Sequence, residues 1–327
     1  MSKSPEMVWL DAIESNEQGD REAALSLAEE VVSQDEGHSD AWMGIAQWIL
    51  PTDSRGRQMM PNLSQASKSI SALRRVVDLD PENEYAWRLG GEILVGHLGM
   101  MEHALQWWEE RKGVAPNDVV PYFEQVSILV RLGYFDEARG YLDDLDEIVS
   151  SQPNKSLENR AIRLRGIFEE QSSMEEEVGF SPQNNKDDSW GMISRMRKKK
   201  PITETYFLLM FVMPIVFLLG SIAMMFFSEM RYGTAIVMLF IIGLYFWVAR
   251  LSRRLLLKLN RPESFLNRAL DFEACSGKVC IPDDIRSSKL YSFVFGSRMP
   301  AFQERIALIE KSGEQLPLKW ELSHPTA

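Results

Sequence analysis

Two runs of apolar residues dominate the chain. Tyr206 to Phe227 holds 22 residues without a charge, and Tyr232 to Ala249 holds another 18. As helices they would reach about 33 and about 27 Å, against a bilayer hydrocarbon core of about 30 Å. A buried core helix seldom runs that long without one charged residue, so a transmembrane pair is the expectation. Pro214 sits near the middle of the first run and should kink it, which membranes tolerate. Neither run contains Asp, Glu, Lys, Arg or His. Ion transport, proton relay and intramembrane catalysis are therefore not expected. Only Ser228 to Arg231 separates the runs, which predicts a tight antiparallel hairpin.

Charge sets the predicted orientation. Arg195, Arg197, Lys198, Lys199 and Lys200 precede the first run, and Arg250, Arg253, Arg254, Lys258 and Arg261 follow the second. The turn offers only Arg231, beside Glu229. By the positive-inside rule this makes an integral protein of the cell membrane with both termini cytoplasmic. In RLSRRLLLKLNR, leucines interleave with cations at helical spacing. Snorkelling to anionic lipid headgroups is a better reading of that stretch than nucleic-acid binding. The first 20 residues lack an apolar h-region, so no signal peptide is expected. The formal net charge of −11 hides a split: 36 acidic against 17 basic residues before Arg195, and 11 against 19 from there on. No nucleic-acid partner fits a chain so acidic outside its collars. Two cysteines in 327 residues exclude a disulfide scaffold.

The region before the basic stretch repeats itself. A turn, a small-residue helix, an acidic or proline stop and a new helix opening on an aromatic recur four times. The segments run from Gly19 to Trp42, Ser71 to Trp87, Met101 to Tyr122 and Leu132 to Ile148. Ala104 to Ala138 is 34 residues; Pro81 to Pro116 and Trp87 to Tyr122 are each 35. Trp42 to Trp87 is 45, one repeat plus an insertion of about 11 that shows as the Pro/Gly/Ser-rich stretch from Pro51.

This pattern resembles the tetratricopeptide repeat (TPR) family. Trp42, Trp87 and Tyr122 match its first-helix aromatic, Ala24, Ala104 and Ala138 its small residues, Gly91 its first-helix glycine, and Pro81 and Pro116 its stop. The pattern breaks where Glu36 stands for Pro, Ala46 for Gly and Ser69 for Ala, and where the last repeat waits for its Pro until Pro153. The resemblance implies a right-handed all-α solenoid over residues 1–172, of about four helix pairs. A capping helix at Leu157 to Glu170 would close it, with Ile162, Leu164, Ile167 and Phe168 near one side. It also implies a concave groove for a protein or peptide partner, lined by first helices: Met43, Gln47, Arg88, Glu92, Phe123, Ser127 and Arg131. The family's clamp for chaperone C-termini needs several cations there. With only Arg88 and Arg131, and with Glu92 opposing, a mixed apolar and polar peptide or a partner helix fits better.

Residues 173–200 read as a linker, acidic then basic, and the polar stretch Gln171 to Met192 as loosely held. The hairpin occupies 201–250. Residues 251–327 read as the basic juxtamembrane helix and a small α+β cytoplasmic domain. In that domain SFLNRALDFEA and PAFQERIALIEKSG suggest helices, and SKLYSFVFGS and LPLKWEL suggest strands.

Chemistry is scarce. Cys275 and Cys280 are the only thiols, and a zinc site would need further ligands where the tail offers His324, Asp271 and Glu273. A metal or redox pair is therefore disfavoured against plain structural cysteines. No phosphate-loop, dinucleotide, zincin or nucleophile-elbow motif occurs. No cofactor, small-molecule substrate or enzymatic activity is expected. The sequence points to a membrane-anchored adaptor or scaffold that gathers partners through its groove. The alternative is a subunit or assembly factor of an integral membrane complex, with the repeats as support.

Overall fold

A computed structural model describes residues 3–53, 55–152, 154–227, 230 and 232–323, apart from the side chains of Arg253 and Arg254. Pro153, most of the hairpin turn (Ser228, Glu229, Arg231) and His324 lie outside the described residues. The chain forms two units. One comprises Met1–Asp187, Arg268–Pro282 and Phe295–Ala327; the other comprises Asp188–Asn267 and Asp283–Val294.

The first unit begins with α1 (Pro5–Glu17), α2 (Arg21–Gln34), α3 (Ser39–Trp48), α4 (Leu63–Leu79) and α5 (Glu84–Glu92). α5 continues as a π-helical turn, Ile93–Leu98, and α6 (Met101–Val114), α7 (Val120–Leu132), α8 (Phe135–Ser151) and α9 (Lys155–Glu177) follow. Successive helices pack as pairs, α1 on α2, α3 on α4, α5 on α6 and α7 on α8, with α9 against α7 and α8. This is an all-α, TPR-like solenoid of four pairs and a closing helix.

The sequence dictates where each helix starts. Side chains of Ser4, Asp20, His38, Asn62 and Asn83 accept from backbone N–H groups of the first turns of α1 to α5. Asn62 and Gln65 form a reciprocal capping box. Gly99 and Gly133, at φ 64° and 87°, end the π-helical turn and α7 in the left-handed conformation.

The recurring aromatic has a physical reason. The Trp87 indole donates to the Pro81 carbonyl at 2.8 Å, and Trp42 donates to the Glu36 carbonyl at 2.9 Å. The bond needs only a carbonyl six residues back, so Glu36 serves where the repeat usually has proline. Ser69, in place of alanine, is fully buried and donates to the Ala46 carbonyl at 2.7 Å, which offsets the cost of burying a hydroxyl. Gly90 and Gly91 admit two adjacent tryptophans. A Cβ on Gly90 would lie 2.4 Å from Trp107, and one on Gly91 would lie 2.1 Å from Trp108.

Several expectations need correction. α9 buries Ala161 and Phe168, with Leu157 and Leu164 half-covered, a stripe spaced four, three and four residues apart. Ile162 and Ile167 fall off that stripe and are exposed. The stretch expected to be loose is largely ordered: α9 continues to Glu177, Phe180 is buried, and Ser181 and Asp187 close a turn.

The predicted α+β character of the C-terminal region is not found, since no strand forms among the described residues. SFLNRALDFEA belongs to the long helix α13, given below. SKLYSFVFGS contains helix α15 (Lys289–Gly296), which buries Leu290, Tyr291 and Val294, a helical rather than alternating spacing. The Ser288 hydroxyl caps it by accepting from the Tyr291 N–H. LPLKWEL contains a turn closed from Trp320 to Pro317, and just before it Gln315 forms an isolated β-bridge with Val279. The residues of that expected domain are shared between the two units.

The second unit contains α10 (Asp188–Met196), α11 (Glu204–Phe207), a π-helical turn (Leu208–Val212), α12 (Met213–Phe227), α13 (Gly233–Ser276, through Asn267), α14 (Asp283–Arg286) and most of α15. α16 (Pro300–Ser312) belongs to the first unit. α11 and α12 join through the π-helical turn into one rod, Glu204–Phe227. That turn lies just before Pro214, whose ring crowds the preceding turn and which has no N–H to give it. This rod and α13 are both long and apolar enough to cross a membrane. Phe217, Met225 and Trp247 on them are 79%, 82% and 65% exposed. The two rods pack over Phe207, Val212, Val216, Val248 and Leu256. Gly220 lets them approach, since a Cβ there would meet Ile241 at 2.8 Å, whereas Gly243 faces open space. Asn260 exchanges two hydrogen bonds with the Ile202 backbone, pinning the start of the first rod to α13.

Candidate partner-binding groove

Helices α5, α7 and α9 enclose a cavity of about 520 Å³ in the first unit. Arg88, Gly91 and Glu92 of α5 line it, with Val95 and Gly96 of the π-helical turn. Val120 and Glu124 of α7, Trp108 of α6 and Arg160 of α9 complete the wall. The cavity is amphipathic: four charged side chains rim an apolar floor of valines and an indole.

The charges are paired unevenly. Arg160 lies 3.7 Å from Glu124, and its guanidinium sits 4.2 Å from the centre of the Phe123 ring. Arg88 leans back toward Glu84, one turn earlier on its own helix, at 3.7 Å. Glu92 has no ion-pair partner among the described residues. Burial pushes the Glu124 carboxyl above its ordinary pKa; the Arg160 charge opposes this and the Glu92 charge adds to it. Burial lowers the pKa of His97, in the same π-helical turn, against the pull of Glu92.

Of the residues expected in a groove, Arg88 and Glu92 line this cavity. Phe123 is 2% exposed and lies beneath Arg160. Ser127 is exposed and donates to the Phe123 carbonyl. Met43 and Gln47 are half-buried on α3, where the Gln47 carbonyl accepts from Arg21. Arg131 is engaged within its own unit: it gives two hydrogen bonds, of 2.6 and 2.7 Å, to the buried carboxylate of Asp271.

Val120, Glu124, Trp108 and Arg160 were not anticipated. Counting from the repeat aromatic selects the same register on every first helix. A cavity between neighbouring helices instead takes opposite flanks of the two. Arg88 and Glu92 stand one and five residues after Trp87, but Val120 and Glu124 stand two before and two after Tyr122. The i, i+4 pair Val120 and Glu124 was the available signal.

Asp271 also takes Arg298 at 3.0 Å. Arg305 of α16 donates to the Leu98 carbonyl at 2.8 Å, and Phe302 packs so closely on Gly99 that a Cβ there would lie 2.4 Å away. The Glu273 carboxylate accepts from the Cys280 and Ile281 N–H groups at 2.7 Å each. Residues 268–282 and 295–323 are thus built onto the turns that end α5 and α7. Cys275 is a buried free thiol whose pKa burial raises to about 12, so it is not a reactive thiolate. No group of three or more metal-ligating side chains occurs among the described residues.

In the second unit, Arg195, Arg197, Lys198, Lys199, Lys200, Arg250 and Lys258 are exposed, and the Arg197 carbonyl accepts from the Lys289 N–H. The side chains of Arg253 and Arg254 lie outside those described.

No protein-family model matches the chain, and no curated protein is similar to it. Solved structures are similar at low identity. The crystal structure of MamA protein matches at 12% identity over 55% of this chain and 98% of that one, with a TM-score of 0.36. MamA from Desulfovibrio magneticus RS-1 matches at 12% identity over 52% and 98%, with a TM-score of 0.34. YrrB, described as a TPR protein with an unusual peptide-binding site, matches at 14% identity over 51% and 85%, with a TM-score of 0.33.

Proposed function

We propose that the chain is a non-catalytic interaction scaffold anchored in the cell membrane. Its solenoid groove holds a segment of a partner protein on the cytoplasmic side. The observation that carries this reading is the cavity of about 520 Å³ between α5 and α7, whose charged rim and apolar floor suit a peptide. The two apolar rods provide the anchor, and the basic residues beside them provide contact with anionic headgroups. Both termini then lie in the cytoplasm.

The experiment is cross-linking of the full chain in native membranes. Val120→Glu, which places a carboxylate in the cavity, should abolish the partner cross-links of the wild type. Their persistence would favour the second reading, a subunit or assembly factor of a membrane complex. That reading draws support from residues 268–282 and 295–323, which occupy the turn edge of the repeats and make them part of a larger structural body. Orientation is tested with Ser4→Cys and Ser323→Cys in sealed vesicles, where both should react with an impermeant maleimide only from the cytoplasmic face.

A further inference from the structure

We propose that the groove between α5 and α7 recognises a lysine or arginine side chain on its partner peptide, gripped by Glu92 beside the Arg160–Glu124 pair. This rests on the peptide-groove reading above and names the chemistry of its ligand. The two arginines and two glutamates of the groove balance in number but are paired unevenly. Arg160 is spent on Glu124 and the Phe123 ring, and Arg88 turns back to Glu84. Glu92 is left without an ion-pair partner among the described residues, close enough to raise the pKa of Glu124 further. An ammonium or guanidinium entering the cavity supplies the missing charge, and Val95 and Val120 offer apolar walls for its methylene stem.

A second observation points the same way. Trp108 lines this cavity, is 2% exposed, and its indole N–H has no acceptor among the described residues. Buried donors are seldom left unpaired, and a small turn of the ring, whose N–H is covered in this structure, would bring it to a main-chain carbonyl of a bound segment. A carbonyl and a cation together describe a basic residue within a peptide, not a free metal ion or an anion. The residues before Arg195 carry a net charge of −19, which steers a basic segment toward the solenoid.

The test uses the full chain in lipid nanodiscs, panned against a random nonapeptide library displayed on phage. Selected peptides are then synthesised and their affinity measured by fluorescence anisotropy at fixed salt. One position should be lysine or arginine in the selected set. Replacing it by norleucine, or making Glu92→Gln, should weaken binding by about tenfold, the scale of one charge-assisted hydrogen bond. Trp108→Phe should weaken it by about threefold through loss of a neutral donor. Glu92→Lys should reverse the preference, so that a glutamate at the same peptide position binds better than the lysine. Glu92 is solvent-exposed, so its variants should fold, and unchanged thermal melts check that for every variant. Peptides that bind through Val120 but carry no basic residue, or prefer an acidic one, overturn the cation assignment and leave the peptide groove standing. A library that yields no peptide sensitive to Val120→Glu overturns both.

Discussion

The repeat unit and the hairpin unit use the same large apolar side chains in opposite ways. Trp107 and Trp108 are 4% and 2% exposed, each seated against a glycine, and Trp107 gives its N–H to the Trp87 carbonyl. Trp247 and Phe217 of the hairpin are 65% and 79% exposed, with neighbours on one side only. Hydrophobicity of the residue does not decide its role. What decides is whether the opposite face of its helix is polar, as in the repeats, or apolar all round, as in the rods.

Substitutions can break that contrast, beginning with the largest effect. Trp107→Ala should destabilise the repeat unit by about 3–5 kcal/mol, read as loss of its cooperative melt in detergent. Trp247→Ala should leave the same transition within about 0.5 kcal/mol, and an equal loss from both would erase the distinction. Asp271→Asn removes the charge shared by Arg131 and Arg298. It should cost about 2–3 kcal/mol, below the range for a fully buried pair because Arg131 is 33% exposed. Ser69→Ala should cost about 1 kcal/mol, the net worth of one buried hydrogen bond, by the same melt.

The smallest effect is a pH dependence. A carboxyl whose pKa rises on folding binds its proton more tightly in the folded state. Glu124 therefore favours the folded state at acid pH, and that contribution is lost as pH rises through the ordinary glutamate range, about 4.3, to its raised value. Glu124→Gln should be the more stable form at pH 7 and lose that advantage near pH 4. A melting temperature that differs equally at both pH values would contradict this.

The solenoid was legible because its determinants lie close in sequence. Trp87 finds Pro81 six residues away, and Gly91 announces a bulky neighbour one helix later. The two uncharged rods were legible for the same reason. What stayed hidden depends on distance. Arg131 and Asp271 are 140 residues apart, so Arg131 read as a free groove cation and the C-terminal region as a separate domain. KLYSFVFG is too short an apolar run to separate strand from helix by period. Arg88 and Glu92, which follow the aromatic register, do line the cavity between α5 and α7, whereas Glu124 and Arg160, which line it too, lie off that register.

The division of the repeat unit along the chain also sets a clock. Arg131 leaves the ribosome about 140 residues before the carboxylate that will hold it, and both apolar rods are made in between. At roughly 5–20 residues per second, that wait is on the order of 7–28 seconds. Through it the turns at Gly99 and Gly133 stand without Phe302, Arg305 and Asp271. The solenoid reaches its finished form only after both rods have been synthesised, so a failure to complete the chain leaves a nascent protein with those turn edges bare.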